Sequence, residues 1–482
     1  MAFSSALFII AFLPIFSAVH FFAPKKRKNA VLFAASLAFY FWCGIDFLIL
    51  VALSSCASWA LALLIEKSKQ EKIRLLFLVL GVFVFVGLLF YFKYLRDFSK
   101  FFFDKDFSPA ALPLGISFYS FSLVSYLLDV YWQKCPAQKK VANVMSYVLF
   151  FPKVVQGPIM RWDDFSAQLE NREVSGGLVA KGLRRFAIGF FKKVVIADQL
   201  TSLVAYSFDN VSGAGTGSAW LSLLAQLMQL YYDFSGYSDM AIGLGLMFGF
   251  ALPENFDHPY LSFSVSEYWR RWHISLGAWF RDYIYMPLYR AFSKNSTLRK
   301  ANGGLWIDLL ALLVTWILTG VWHGSGNKFF YYGLWWFAFV ALERVVEYIQ
   351  KKRRKALGIK KANMGLFEKT VRYIETMFAI LIGQVMFRAS GMRTVFLYVK
   401  KLFVWSDVDG LLVFKELNNE VALALLLALA FCFPIHKFAR ERFFEKFKIG
   451  KIAYNVLLVM MFLYAFMQAL SVGGSPFLYQ VF

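Results

Sequence analysis

Charge is scarce in this sequence. Only 17% of its 482 residues are Asp, Glu, Lys or Arg, while 59% are apolar; soluble domains carry about 25% charge. The three soluble domains that length alone would suggest are thereby excluded. Cysteine is sparser still. Cys43, Cys56, Cys135 and Cys432 lie far apart with no CxxC pair, so they read as small buried hydrophobes and not as a disulfide framework. No H-x-x-x-H or paired-cysteine motif offers a metal site, and none is expected. A G-x-S-x-G elbow and a P-loop lysine are also missing, which argues against a serine hydrolase and a P-loop nucleotide site. There is no internal repeat and no long polar linker, so residues 1–482 read as one membrane-embedded domain.

What is present is apolar sequence in runs of membrane-spanning length, such as Ala2–Phe22 and Leu305–Trp322. Spans are expected near residues 3–23, 29–46, 47–66, 73–95, 113–132, 218–235, 237–252, 305–322, 328–349, 370–388, 421–436 and 453–472. Segments 141–158 and 178–197 are broken by Pro, Gly or charge and suit re-entrant or interfacial pieces. The fold class is therefore an all-α polytopic integral membrane protein with about ten to thirteen membrane helices. Lys and Arg total 52 against 30 acidic residues. They cluster in short connections (Lys25–Lys28, Lys67–Arg74, Lys134–Lys140, Lys351–Lys361, Lys437–Lys448), as cytoplasmic loops do. That clustering points to a lipid membrane as partner, with no nucleic acid expected. Acidic Asp104–Pro113 and Trp405–Glu420 belong outside, and alternation places the N-terminus outside. No basic region precedes the first apolar run, so it is expected to be retained and not cleaved.

Polar residues in such surroundings are functional candidates, because each is costly to insert. They concentrate between residues 229 and 330, with three of the five histidines: His258, His273 and His323. His323 ends a long apolar run and opens Gly324-Ser325-Gly326-Asn327, where glycine permits close approach. Its imidazole could act as a base, or could be a buried hydrogen-bonded residue between helices. At helical spacing Arg270, His273, Gly277 and Arg281 would share one face, with Trp269, Trp272, Leu276 and Phe280 on the next. That stretch suits an interfacial amphipathic helix, or a site where Arg270 or Arg281 meets an anionic donor. Asp233 and Asp239, on a helix interrupted by Ser235-Gly236, could bind a substrate hydroxyl or form buried ion pairs. Gly245-Leu-Met-Phe-Gly249 reads as a helix-packing motif.

At this point the sequence resembles the membrane-bound O-acyltransferase family, in particular its bacterial branch of polysaccharide acetylating and D-alanyl transfer proteins. The motifs carrying the resemblance are Pro113-Leu-Gly-Ile-Ser-Phe-Tyr-Ser-Phe121, Phe151-Pro-Lys-Val-Val-Gln-Gly-Pro158 and Tyr232-Asp-Phe-Ser-Gly-Tyr-Ser-Asp239. Asn255-Phe256, Tyr268 through Leu276, Trp322-His323-Gly324 and Pro476-Phe-Leu-Tyr479 complete the series. They run over residues 113–482, behind N-terminal spans at 1–112. The resemblance implies re-entrant helices around a central tunnel, with His323 as active-site base and His273 beside it in the catalytic set. Residues expected to meet substrate are Asp233, Ser238, Asp239, Asn255, Trp269, Arg270, Arg281, Trp322 and Asn327. No permanently bound cofactor is implied. The acyl donor would be acetyl-CoA or the phosphopantetheine thioester of an acyl carrier protein, and the acyl group would pass to an exported polysaccharide. An extracytoplasmic SGNH-type acetyltransferase partner is implied, in a bacterial inner membrane. The alternatives are D-alanyl transfer to teichoic acid with a carrier protein, and a lipid-linked sugar transporter.

Overall fold

The computed structural model describes residues 2–107, 112–297, 304–360, 364–410, 412–434, 444, 447–472 and 477. Helix dominates them. The one β pairing among the described residues is an isolated antiparallel bridge between Phe256 and Trp272. Apolar sequence of this length folds this way because hydrocarbon offers the backbone no hydrogen-bond partner outside the helix itself. Six of the described helices are long and apolar enough to cross a membrane: Ile45–Lys67, Glu71–Lys93, Leu305–His323, Asn327–Leu357, Leu366–Arg388 and Ile449–Ser471. Shorter apolar helices run over Phe8–Phe22, Ile116–Tyr131 and Asn419–Phe431. Large apolar side chains such as Leu76, Val79 and Phe83 stand exposed along Glu71–Lys93, as they do on a surface solvated by lipid tails. The protein is a multi-pass membrane protein.

The chain divides into two compact units, one of Met1–Val195, Asp233–Glu254 and Lys448–Phe482, the other of Ile196–Tyr232 and Asn255–Phe447. In the first unit, Ile45–Lys67, Glu71–Lys93 and Ile116–Tyr131 pack on one another. A second contact there is set by glycine. The helix Gly176–Phe191 meets the later half of Thr216–Met247 at Gly182, Gly189, Gly236 and Gly243. A Cβ on Gly189 would lie 2.5 Å from the Gly236 carbonyl oxygen, and one on Gly243 would lie 2.6 Å from that of Gly182. On each helix the two glycines (Gly182 and Gly189, Gly236 and Gly243) are seven residues apart, so each presents its small residues on one stripe, the usual device for close approach in a membrane.

Ser235-Gly236 does not divide residues 218–252 into two spans; Thr216–Met247 is one continuous helix of 32 residues, because Gly236 is a crossing point and not a break. Gly245-x-x-x-Gly249 is no helix-packing stripe. Gly249 takes φ +82°, and the Phe250 and Gly249 amides donate to the Gly245 and Leu246 carbonyls, the paired bonds of a Schellman cap. The cysteines also differ from expectation: Cys432 is buried, but Cys56 is exposed on its apolar helix.

In the second unit, Leu305–His323 and Asn327–Leu357 form a tight helical hairpin. Gly320 and Gly333 bring the two backbones together, since a Cβ on Gly320 would fall 2.3 Å from the Phe329 carbonyl oxygen. Leu366–Arg388 packs on the second arm, where Gly383 leaves room for the Trp336 ring.

Candidate active site

His323 is the last residue of the first hairpin arm and is 5% exposed. The turn after it must be tight. A Cβ on Gly324 would strike the Phe329 ring at 2.2 Å, so glycine there lets Phe329 fold back over the imidazole. Four aromatic rings then wall the histidine: Trp322 at 4.7 Å, Phe387 at 5.3 Å, Tyr332 at 5.6 Å and Phe329 at 6.4 Å between centroids. Phe387 comes from the end of Leu366–Arg388. Its position is fixed by the buried Lys328, whose ammonium donates to the carbonyls of Phe387 (3.0 Å) and Ala389. A cation at the C-terminal end of a helix also meets the negative pole of its dipole.

His273 reaches the same neighbourhood by another route. The helix expected through residues 268–281 does not form. Val265–Arg271 and Ile274–Phe280 are separate short helices, with Trp272 extended between them and His273 at φ +45°. The break has a cause outside the segment. Asp257 N–H donates to the Arg271 carbonyl and Ile274 N–H to the Asn255 carbonyl, pairing 255–257 with 271–274. Asn255 Oδ1 accepts from both the Ser275 amide (3.1 Å) and the Ser275 hydroxyl (2.6 Å). Left-handed backbone at a non-glycine residue costs about 1–3 kcal/mol and persists only when such contacts over-determine it. The supposed common face of Arg270, His273, Gly277 and Arg281 is therefore absent.

The first of these helices is anchored in turn. Glu343 accepts from the Val265 and Ser266 amides at its start, and Ser264 Oγ accepts from Glu267 N–H. Tyr268 stacks on Trp336, and Trp269 packs edge-on to Trp316 and Trp336 of the hairpin. His273 thereby comes within 6.4 Å of Trp322. Trp322 touches both histidine rings. His273 lies outside the long apolar helices, and its burial pushes its pKa down to about 3, so its ring is neutral near pH 7.

Comparison with known proteins identifies the family. The profile of the membrane-bound O-acyltransferase family matches residues 137–355. A probable alginate O-acetylase of Pseudomonas aeruginosa is 37% identical over 413 residues, 84% of this chain and 75% of that protein. A peptidoglycan O-acetyltransferase of Helicobacter pylori is 33% identical over 69% of this chain and 68% of that protein. A teichoic acid D-alanyltransferase of Bacillus subtilis is 28% identical over 46% of this chain and 56% of that protein. The chain belongs to the membrane-bound O-acyltransferase family. It is an O-acyltransferase, and the polar region singled out in the sequence falls inside the matched segment.

Within this acyltransferase the candidate residues separate into groups. His323, Trp322 and His273 come together, and Trp269 and Asn255 support the His273 turn. Asn327 is exposed at the start of the second hairpin arm. Arg270 and Arg281 are exposed, with Arg281 paired to its neighbour Asp282. Asp233, Ser238 and Asp239 are buried in the first unit. There both aspartates make ion pairs. Asp233 Oδ1 lies 2.7 Å from Lys193 Nζ, and Asp239 bonds Arg185 Nε at 2.6 Å and Lys192 Nζ at 2.7 Å. Arg185, Lys192, Lys193, Lys328 and Glu343 were missed as candidates. The charges breaking the apolar run 178–197 were the available signal for the first three. Nothing local marks Lys328 or Glu343. Among the motif residues, Pro476, Leu478 and Tyr479 lie outside the described residues.

Proposed function

We propose that this acyltransferase O-acetylates an exported polysaccharide in a bacterial inner membrane, with His323 as the base. The acceptor hydroxyl gives its proton to the imidazole, its oxygen attacks the thioester carbonyl, and the C–S bond breaks. The departing thiolate takes up the proton. The observation that carries this reading is a buried histidine at a helix end, walled by four aromatic rings. Such a wall excludes water, which would otherwise hydrolyse a thioester. Acetyl transfer to polysaccharide is favoured over D-alanyl transfer because the acetylating relatives match more of the chain at higher identity. The donor is the cytoplasmic thioester of coenzyme A or of a carrier protein, and Trp322 with His273 would line the approach of the reacting groups. An SGNH-type esterase outside the membrane would complete transfer to the polymer. The basic connections would face the cytoplasm and the N-terminus the outside.

The test is the O-acetyl content of the cell's exopolysaccharide in wild type and in His323→Ala, with equal amounts of both proteins in the membrane. Loss of acetyl with normal polymer yield is expected. Unchanged acetyl would overturn the assignment of the base, and lost teichoic acid D-alanine with acetyl intact would overturn the choice of acyl group.

A further inference from the structure

The first unit holds an open cavity of about 580 Å³. Three walls form it. Glu66, Lys67 and Ser68 end the helix Ile45–Lys67, Lys69 and Arg74 flank the start of Glu71–Lys93, and the turn Gln133–Pro136 follows Ile116–Tyr131. The turn is built, not loose. Gln133 takes φ +58°, and the Gln133 and Lys134 amides donate to Val130 and Asp129 in a Schellman cap. Ala137 N–H and Trp59 Nε1 tie the following residues to neighbouring helices.

The charge of this cavity is lopsided. Four cations line it: Lys67, Lys69, Arg74 and Lys134. The only carboxylate lining it, Glu66, accepts the Ala137 amide at 2.8 Å. Lys134 is paired with Asp129, behind the wall. Arg74 is held rigid, donating to the Tyr131 carbonyl with its guanidinium over the Tyr131 ring. Lys67 and Lys69 are exposed. A pre-ordered guanidinium beside two open ammonium groups is suited to a phosphate. Directly beyond the cavity, Glu71–Lys93 exposes Leu75, Leu76, Val79, Leu80 and Phe83, a track for acyl chains leading away from the charged mouth.

We propose that this cavity binds the phosphate of an anionic phospholipid head group, with the lipid's chains along Glu71–Lys93. A soluble phosphate would use the same cations but not the apolar track, so the track selects the lipid. Basic pockets between helix ends on the cytoplasmic side have the charge and depth for such head groups.

The experiment is native mass spectrometry of the delipidated full-length protein, titrated with phosphatidylglycerol, phosphatidylcholine or 3′,5′-ADP. Wild type should retain phosphatidylglycerol in preference to phosphatidylcholine. K67Q/K69Q should weaken that binding about fivefold for each lysine, while K25Q/K26Q, at another basic connection, should leave it within about twofold. Equal retention of the two lipids, or equal phosphatidylglycerol binding by K67Q/K69Q, would overturn the proposal. Binding of 3′,5′-ADP without phosphatidylglycerol would also overturn it, by making the phosphate's source soluble. None of these readouts depends on catalysis.

Discussion

Removing one partner of the Asp233–Lys193 pair should unfold this protein more readily than any loss of surface charge. Both side chains are 1% exposed and their atoms are 2.7 Å apart. At that depth the pair cannot fall back on water when it is broken. Asp233→Asn keeps the shape but takes away the carboxylate charge 2.7 Å from the buried Lys193 ammonium, at a cost of about 3–5 kcal/mol. Lys193→Met removes the ammonium charge from the buried Asp233 carboxylate at a similar cost. The double variant removes both charges, so it should be less destabilised than the sum of the singles, with a coupling of about 2 kcal/mol or more. Lys192→Met gives the contrast. Its partner Asp239 keeps Arg185, and Lys192 and Arg185 are 22% and 34% exposed, so water screens what is lost and the effect should be about 1 kcal/mol or less. Unfolding in SDS from mixed micelles, followed by tryptophan fluorescence, measures all four. Two single variants that match wild type would refute the argument. If Asp233→Asn also abolished acetylation while Lys193→Met stayed active, Asp233 would be meeting substrate, as the sequence alone had suggested.

Two further substitutions probe the second unit. Gly320→Val should cost about 3 kcal/mol or more and lower the membrane yield, because its side chain would strike the Phe329 backbone; blotting and thermal unfolding check this. Asn255→Ala removes the acceptor of both Ser275 bonds. It should cost about 1–3 kcal/mol and lower polysaccharide acetylation about tenfold through displacement of His273, measured as O-acetyl per unit of protein.

Much of this architecture could be read from composition because hydrocarbon imposes one rule on every backbone, and apolar length alone then announces a helix. His323 was legible for a local reason. Tryptophan before it, glycine after it and a long apolar run leading to it are all contiguous in sequence. His273 was legible as a residue but not as a geometry. Its φ of +45° is fixed by residues 255–257, fifteen or more positions away, and helical spacing gave the wrong face for that reason. Gly236 shows the same limit. In isolation it looks like a helix break, and only its contact with Gly189 explains why the helix runs on. The carboxylates were visible, but their partners were not. Pairing across 40 and more residues is a property of the helix crossing, and the seven-residue glycine spacing in both helices was its one trace in the sequence.

The aromatic wall around His323 leads to a prediction that separates chemistry from exclusion of water. Phe387 is 3% exposed, and its ring lies edge-on to the imidazole at 5.3 Å. Lys328 fixes it by binding the carbonyls at that helix end, not by touching the histidine. Leucine there would nearly conserve volume, with a stability cost below about 1.5 kcal/mol, yet it cannot cover the imidazole as a flat ring does. His323 would remain in place. What changes is access for water, which competes with the acceptor hydroxyl for the same acyl group. Phe387→Leu should therefore keep consuming the thioester while a larger share of its acetyl appears as free acetate. Radiolabelled acetyl, counted in polymer and in released acetate, gives that ratio directly. A fall in total turnover at constant ratio would mean that the ring orients the histidine and does not exclude water. An unchanged ratio and rate would mean that the wall has no part in the reaction.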